Sequence, residues 1–376
     1  MADLLDWVSL SLVPGLGAAG MRRLVDFFDG PDRVLLASAK ERSKVPGLRA
    51  EALLGLSNVD EVRCRGEQEI ERLSGLGAQA ISLEDQSYPS LLRQINGSPP
   101  VLYIRGRSEL LESCCVAIVG SRAATTYGHR IAFSLARDLS ARGVTVVSGL
   151  ALGIDACAHA GALAASGATV AVLGCGLDVV YPQQNSGLYE QIQGAGVLVT
   201  EYPLGTRPEA FRFPARNRII AGMSYGVVVV EAAKKSGSLI TAEFALDEGR
   251  DVFAVPGQVD SFKSAGAHWL LQQGAKLVLS AADILEELHL CTGLQSGEKR
   301  GTGAEDEKNL ALEPELLALL GKIEPYSMKR DALIADSGLS PGRVAEFLLL
   351  LELEGLVEML PGDEVRRVGG ESAERR

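Results

Sequence analysis

The stretch VAIVGSR (Val116 to Arg122) joins a β-branched run to a tight polar turn, and a helix-forming segment follows it. Four later stretches repeat this pattern: VTVVSGLALGID (Val144 to Asp155), TVAVLGCGLD (Thr169 to Asp178), VVVVEAAKKSGSLIT (Val227 to Thr241) and DVFAVPG (Asp251 to Gly257). Strands that alternate with helices predict a parallel sheet, because parallel neighbours need a crossover connection. We therefore expect an α/β fold with a doubly wound sheet, whose polar turns converge at the carboxyl ends of the strands.

Length and composition set the limits around this sheet. The chain has 376 residues, so two or three domains are expected, and its 47% hydrophobic and 23% charged residues are ordinary for a globular protein. No run of about 18 apolar residues occurs, and the acidic start MADLLDWVSL is not a basic signal region. We expect a cytoplasmic protein with no membrane partner. The net charge of −11 argues against a protein that coats nucleic acid over its whole surface, but it allows a local basic groove.

The six cysteines show no C-x-x-C spacing, and several lie in or beside predicted strands. We expect small buried hydrophobic side chains and neither a metal site nor a disulfide framework. The six are Cys64, Cys114, Cys115, Cys157, Cys175 and Cys291.

Residues 1–75 contain two Pro-Gly-Leu turns that each precede an apolar helix, in Val13 to Phe28 and in Val45 to Leu56. This arrangement is typical of a helix-hairpin-helix (SAM-like) domain, in which the turn amides point outward at a phosphate. An ordinary helical hairpin that packs on its neighbour is the alternative. The basic residues Arg22, Arg23 and Lys44 are too few to decide between them.

Three further segments follow. Residues 76–290 are predicted to form the α/β domain, with VLYI (Val101 to Ile104) as an edge strand after a double proline. Residues 291–310 are rich in glycine and charge, which predicts a flexible linker.

Residues 311–368 have the helix, helix, turn, helix, strand order of a winged helix. Since Leu312 to Val368 holds six basic and eleven acidic side chains, we rank a DNA-reading role for this domain below protein docking or a purely structural role.

The first turn, GSRAATTYG (Gly120 to Gly128), is not the G-x-G-x-x-G dinucleotide motif, and no G-x-x-x-x-G-K-[ST] phosphate loop occurs. The turn instead predicts a phosphate-binding corner made of a helix N-terminus, the Ser121 hydroxyl and the Arg122 guanidinium. The alternative is that Arg122 pairs with a neighbouring carboxylate.

The next turn places Asp155 and His159 four residues apart, on one face of a helix. An acid/base pair or two metal ligands would have this spacing. We favour a hydrogen-bonded structural pair, because no third ligand or nucleophile stands at a recognisable spacing and an acid suits a helix start.

The segment EYPLGTRPEAFRFPARNRIIAG (Glu201 to Gly222) interleaves four arginines with aromatic rings. Cations for the backbone and rings for base stacking are what a single strand requires. For the arginines of the RNR triplet, buried ion pairs at the sheet edge are the alternative. SGSLIT (Ser236 to Thr241), with two lysines before it, predicts a second helix start for phosphate or simply a capped helix.

These motifs together resemble the DNA-processing protein A family (DprA, also called Smf). The matching strings are GSR, SGLALGIDACAH, LGCGLDVVYP, EYPLGTRP, FPARNRIIAG, VVVVEAAKKSGSLITA, GRDVFAVPG and GAHWLLQQGA, in the family's order over residues 85–278. The resemblance implies an extended Rossmann-like domain that binds single-stranded DNA in a basic pocket, forms a homodimer and loads the RecA recombinase.

The resemblance also assigns residues. The family's pocket arginine falls on Arg122, and the basic residues before its FPxRNR motif fall nearest to Arg207, with Arg212 as a second candidate. Two positions depart from the family pattern: Gln183 to Asn185 replace an expected lysine, and His268 stands in an expected Gly-Thr-Asn turn.

We therefore expect a non-enzymatic, sequence-independent single-stranded DNA-binding protein of DNA uptake, natural transformation and recombination, with no catalytic residue, metal or cofactor. The alternative is an enzyme that binds or hydrolyses a nucleotide-derived small molecule with Asp155, His159 and Glu243. The predicted DNA-binding residues are Gly120, Ser121, Arg122, Gly149, Arg207, Phe211, Arg212, Phe213, Arg216, Asn217, Arg218, Lys234, Lys235, Ser236, Gly237 and Ser238.

Overall fold

The computed structural model of the chain describes residues 3–165, 168–288, 314–323, 328–353, 356–360 and 362–367. The chain forms two compact units, residues 1–295 and residues 296–376. The predicted linker, residues 291–310, lies outside the described residues. The boundaries at residues 75 and 290 stay predictions.

The first unit begins with six helices. They are α1 (Leu4–Ser11), α2 (Gly17–Phe28), α3 (Pro31–Leu36), α4 (Ala39–Arg42), α5 (Ala50–Gly55) and α6 (Val59–Gly75). Gly15 and Gly47, in the two Pro-Gly-Leu turns, have φ of 74° and 73°, a region that favours glycine. Arg42 is buried and donates hydrogen bonds to three carbonyls, so one side chain ties α4 to the ends of α3 and α5.

A nine-stranded sheet follows, in the order β1-β2-β6-β5-β4-β3-β7-β8-β9. Its strands are β1 (Ala78–Ser82), β2 (Val101–Gly106), β3 (Cys115–Val119), β4 (Thr145–Ser148), β5 (Thr169–Val172), β6 (Val197–Thr200), β7 (Gly226–Val229), β8 (Asp251–Ala254) and β9 (Lys276–Leu277). The pairings from β6 to β9 are parallel, while β1–β2 and β2–β6 are antiparallel. The expectation of an α/β fold with a doubly wound, mostly parallel sheet is confirmed.

The helices of this part are α7 (Ser90–Gln94), α8 (Thr126–Ala141), α9 (Ile154–Ala165), α10 (Ser186–Ala195), α11 (Arg212–Gly222), α12 (Gly237–Asp247), α13 (Ala265–Gln272) and α14 (Ala281–Glu287). They cover both faces of the sheet, so every residue of β3 to β7 is buried. Strand order reverses at β3: β4 to β6 lie on one side of it and β7 to β9 on the other.

Two sequence expectations in this unit were wrong. VLYI lies in β2, which pairs with both β1 and β6 and is therefore an internal strand; β1 forms the edge. Cys114 is disulfide-bonded, although no disulfide was expected. Cys114, just before β3, is half-buried and packs against the core, while Cys115, the first residue of β3, is fully buried. Cys64, Cys157 and Cys175 are free thiols, but Cys64 is exposed and so departs from the expected buried side chain. Cys291 lies outside the described residues.

The second unit contains α15 (Pro314–Lys322), β10 (Met328–Lys329), α16 (Arg330–Ser337), α17 (Pro341–Leu353), β11 (Val357–Leu360) and β12 (Glu364–Arg367). Its three strands pair in the antiparallel order β10-β12-β11. Leu333, Phe347 and Leu351 lie in its buried core. This is the predicted winged-helix order. Across the described parts of the chain, no helix has both the length and the apolar character needed to cross a membrane.

Candidate nucleic-acid interface

A cleft of about 660 Å³ opens at the carboxyl ends of β3 and β7, where the strand order reverses. Doubly wound sheets place their ligands at this point, because the connections leave the sheet in opposite directions and a crevice forms between them. Ten of the predicted DNA-binding residues line the cleft: Gly120, Ser121, Arg122, Phe213, Arg216, Asn217, Lys235, Ser236, Gly237 and Ser238. The other six, Gly149, Arg207, Phe211, Arg212, Arg218 and Lys234, do not line it.

Arg122 is the main exposed cation on the β3 side of the cleft. Its guanidinium carbon lies 5.5 Å from the centre of the Phe213 ring, within cation–π range. Among the described residues, no carboxylate lies within 4 Å of the Arg122 guanidinium. Burial raises the pKa of Asp155, which lines the same cleft, and the charge of Arg122 is among the effects that oppose this shift. The alternative of a carboxylate partner is therefore reduced to this longer-range interaction. The charge is therefore exposed to a ligand in the cleft.

The loop that carries Arg122 differs from the expected phosphate corner. The helix begins at Thr126, several residues later, and its N-terminus is already capped: the Thr125 hydroxyl accepts from the Gly128 amide at 3.1 Å. Glu231, at the end of β7, accepts from the Thr125 amide at 2.9 Å and holds the loop against the sheet. The Ser121 hydroxyl accepts from the Ala123 amide at 3.2 Å. Residues 120–122 line the cleft, whereas the first turn of α8 does not, so the predicted phosphate contact at this corner is confined to the loop and the guanidinium.

The turn after β4, residues 149–153, forms part of the cleft wall and contains strained backbone. Leu150 has φ of 54°, a conformation that is rare for a residue with a side chain. Four buried side chains bind this turn. Asp155 accepts from the Gly149 amide at 3.2 Å, and Asn185 donates to the Leu150 carbonyl at 2.9 Å. His159 and Arg216 complete the set.

His159 is a neutral structural residue. Its Nε2 accepts from the Leu150 amide at 3.3 Å, and its Nδ1 lies 2.7 Å from the Thr169 hydroxyl. Since that hydroxyl donates its only proton to the Val146 carbonyl, Nδ1 carries the histidine proton. Burial, with a smaller effect from Arg216, lowers the pKa of His159 to about 3. Both ring nitrogens are therefore engaged within the protein.

Asp155 is also engaged. Burial raises the pKa of its carboxyl, and the charge of Arg216 and the amides of Ala151 and Gly149 oppose this shift. Asp155 and His159 thus both hold the turn after β4, each through its own hydrogen bond to that turn. This fits the favoured structural role in shaping the turn.

The two arginines of the RNR triplet make internal contacts. Arg216 is 3% exposed and donates to the carbonyls of Gly149, at 2.7 Å, and Val172. Burial lowers its pKa to about 10, so it stays charged at neutral pH beneath the cleft. Arg218 pairs with the buried Glu201. Arg218 thus fits the alternative of a buried ion pair, whereas Arg216 is buried through main-chain carbonyls instead of an ion pair. A direct phosphate contact by either remains a prediction.

Gly149 also acts through its backbone and its lack of a side chain. A Cβ at this position would lie 2.4 Å from the Arg216 guanidinium. The glycine therefore permits the packing of Arg216 against the turn.

Aromatic rings lie beside the cations. The Phe213 and Tyr181 rings are 5.4 Å apart with an interplanar angle of 32°. Tyr181 lines the cleft, is 40% exposed, and was not among the predicted site residues. Its only signal was its position in LGCGLDVVYP, in a turn after a strand. Outside the cleft, the guanidinium carbon of Arg212 lies 5.2 Å from the centre of the Tyr202 ring and 5.3 Å from the centre of the Phe211 ring, which belongs to a 65% exposed residue.

The β7 side of the cleft is formed by the start of α12. Ser236 caps this helix by accepting from the Ser238 amide at 3.3 Å, and Asn217 donates to the Gly237 carbonyl at 3.1 Å. Lys235 is exposed and lines the cleft, while Lys234 is exposed outside it. The helix start is therefore capped, and Lys235 supplies a second cation opposite Arg122.

The two departures from the family pattern have structural roles. Asn185 is buried and holds the turn after β4, as described above. His268 Nε2 lies 3.2 Å from the Gly257 carbonyl oxygen and near its amide, so it bridges α13 to the end of β8.

A family model described as DNA recombination-mediator protein A matches residues 79–289, and one described as the DprA winged helix domain matches residues 304–363. The chain belongs to the DNA recombination-mediator protein A family. The resemblance seen in the motifs is thereby confirmed.

Individual relatives agree with this assignment. The protein Smf of Synechocystis sp. is 36% identical over 393 residues, which cover 96% of this chain and 98% of the relative. The X-ray structure of DNA processing protein A from Streptococcus pneumoniae is similar with a TM-score of 0.68 and 36% identity, over 76% of this chain and 99% of that one.

A third relative bears on the ligand. The DNA processing protein A of Helicobacter pylori has a solved structure that concerns its single-stranded DNA binding mode. It is similar with a TM-score of 0.52 and 31% identity, over 56% of this chain and 96% of that one.

Proposed function

We propose that this chain binds single-stranded DNA in the cleft, without sequence preference, and promotes loading of the RecA recombinase in DNA uptake, natural transformation and recombination. The observation that carries the proposal is the combination of two exposed cations, Arg122 and Lys235, with the adjacent, tilted rings of Phe213 and Tyr181 in one cleft. A single strand offers both phosphates and free base faces to such a site.

The physical chemistry favours an unpaired strand. An aromatic side chain stacks on any base, because every base has a π-face, but it reaches that face only when the base is not paired. Phosphate contacts carry no sequence information. The solved relative from Helicobacter pylori supports the same ligand class.

We propose a non-enzymatic role. Asp155 and His159 hold the turn after β4 and have their hydrogen-bonding atoms engaged there, and Glu243 is exposed on α12 outside the residues that line the cleft. Asp155 lines the cleft, but His159 is fully buried with both ring nitrogens bonded, so the acid and base of the alternative enzyme do not meet at a common reacting atom.

The proposal includes a cytoplasmic homodimer that works with RecA. The RecA partner is supported by the family's description as a recombination mediator. Dimerisation through the Rossmann-like domain is supported by exposed apolar side chains at the β8–β9 end of the sheet. They are Val259, Phe262, Trp269, Leu277 and Leu279.

The experiment is a titration of labelled oligonucleotides followed by fluorescence anisotropy. Single strands of thymine, of adenine and of mixed sequence are compared with a duplex of the mixed sequence, at salt concentrations between about 50 and 200 mM. We expect similar affinities for the three single strands, weaker duplex binding and a steep loss of affinity with salt. Equal or tighter duplex binding, or no binding at low salt, would contradict the proposal.

A further inference from the structure

A tight turn, residues 203–206, precedes the DNA-binding segment, by which we mean the predicted DNA-binding residues from Arg207 to Arg218. The Thr206 amide donates to the Pro203 carbonyl at 3.3 Å, as in a four-residue β-turn. Gly205, the third residue of the turn, has φ of 78°, which a type II turn requires at this position. The exposed Arg207 follows this turn directly. The next residue, Pro208, lines the cleft. The geometry of residues 203–206 therefore determines the position of Arg207 at the edge of the cleft.

Two carboxylates hold the amides of this turn. Glu69, a buried residue of α6 in the front helices, accepts from the Leu204 amide at 2.6 Å. Asp178, after β5, accepts from the Gly205 amide at 2.7 and 2.9 Å. Hydrogen bonds to charged acceptors are short and strong, so the two central amides are firmly fixed.

Arg72 joins the two carboxylates. Its Nη1 lies 3.0 Å from Glu69 and its Nη2 lies 3.8 Å from Asp178. On the far side of the turn, Arg212 donates to the Arg207 carbonyl. The segment from Pro203 to Arg212 is thus braced at both ends, and one of the braces comes from a helix that contributes nothing to the cleft itself.

We infer that Glu69 and Asp178 are positioning residues for single-stranded DNA binding, and that α6 supports the DNA-binding segment through Glu69. The inference rests on the proposed function. Fixing the turn before the strand arrives removes the entropy cost of ordering it in the complex, which raises affinity without adding a contact.

The inference predicts an effect on DNA affinity opposite to the one expected from charge alone. Glu69 and Asp178 are acidic side chains that bind amides three and two residues before Arg207, a predicted phosphate contact. If they acted only through their electric field, their removal would strengthen binding to a polyanion. If they position the turn, their removal must weaken it. Charge removal therefore separates the two effects by direction.

The test uses Glu69→Gln, Asp178→Asn and the control Glu71→Gln in the full chain. Glu71 lies on the same helix and is exposed, so its change removes an equal charge without touching the turn. Affinity for a labelled thymine oligonucleotide is measured over a salt series, together with the unfolding temperature. Asp178 is only partly buried, so its variant keeps the test valid if Glu69→Gln lowers stability.

Gln and Asn keep a neutral acceptor oxygen, so the hydrogen bond to the turn is weakened and not lost. We expect Glu69→Gln and Asp178→Asn to weaken binding on the order of tenfold, the scale of the difference between a charged and a neutral acceptor, with the salt slope of the parent protein. Glu71→Gln should bind as tightly as the parent or slightly more tightly. Unchanged or tighter binding by both turn variants, while Arg122→Ala binds poorly, would overturn this inference and leave the proposed function standing. A parent protein that does not bind single strands would overturn both.

Discussion

The guanidinium of Arg122 lies over the ring of Phe213, with 5.5 Å between its central carbon and the ring centre. The two residues come from different parts of the chain, the loop after β3 and the first turn of α11. Their contact places a cation and an aromatic face side by side at one cleft. This pairing suits a ligand whose charge and π-face alternate along a chain, as those of a single-stranded nucleic acid do.

Tyr181 extends this aromatic surface, and its loss should weaken binding. We expect Tyr181→Ala to cost about 1–3 kcal/mol of binding free energy for a single strand, because one stacked base loses its platform. The salt slope should not change, since no phosphate contact is removed. Anisotropy titrations measure both quantities.

Tyr127→Ala is the matched control for that experiment. Tyr127 is similarly exposed, at 39%, but its hydroxyl donates to the Pro256 carbonyl and it does not line the cleft. Equal effects of the two tyrosine variants would show that stacking in the cleft is not the cause.

Arg218 should matter for stability more than for DNA affinity. It pairs with Glu201, and both side chains are largely buried, with 17% and 10% exposure. Arg218→Met leaves a buried carboxylate without its partner, which we expect to cost about 3 kcal/mol of unfolding free energy. The double variant Glu201→Gln with Arg218→Met should recover part of this loss.

Chemical denaturation of the parent, of Arg218→Met, of Glu201→Gln and of the double variant measures this cycle, and DNA titrations of the same proteins complete it. A salt slope that falls by about 0.7 in Arg218→Met would instead assign Arg218 a direct phosphate contact.

His159 should make the stability of the protein depend on pH. Its pKa is about 3 in the folded chain and 6.5 in the unfolded chain. Between these values the unfolded chain binds a proton that the folded chain does not, so the unfolding free energy falls as the pH falls below 6.5. The loss should approach about 2 kcal/mol at pH 5.

Other buried groups also titrate, so the effect is measured as a difference between variants. Urea unfolding of the parent and of His159→Gln at pH 7.5 and pH 5 should show a smaller loss in the variant. The exposed His129→Gln should behave as the parent does. Identical pH dependence in the parent and His159→Gln would contradict the buried neutral state.

The sheet could be predicted from the sequence because its strands are buried on both faces and read as short β-branched runs, as in Val116 to Val119. The sequence also predicted that Arg122 and Lys235 lie at one cleft, because the turns after neighbouring parallel strands meet at one edge of the sheet. The start of α8 could not be fixed, because its position depends on a distant acid, Glu231, that holds Thr125.

The binding partner of each arginine could not be predicted, because it also depends on residues that are distant in the sequence. A guanidinium donates equally well to a phosphate, a carboxylate or a main-chain carbonyl. Arg216 is buried because it donates to the carbonyls of Gly149 and Val172, which come together only in the folded sheet. The local RNR motif does not contain this information. Tyr181 was missed because its partner, Phe213, lies far away in the sequence.

The central claim is that Arg122 and Lys235 bind the phosphates of one unpaired strand. The most direct measurement is the slope of log affinity against log salt for a thymine oligonucleotide, in the parent and in the Arg122→Ala, Lys235→Ala double variant. Each lost contact with a single strand should reduce the slope by about 0.7, so we expect a reduction of about 1.4 together with weaker binding. An unchanged slope and an unchanged affinity would show that the strand does not bind in this cleft.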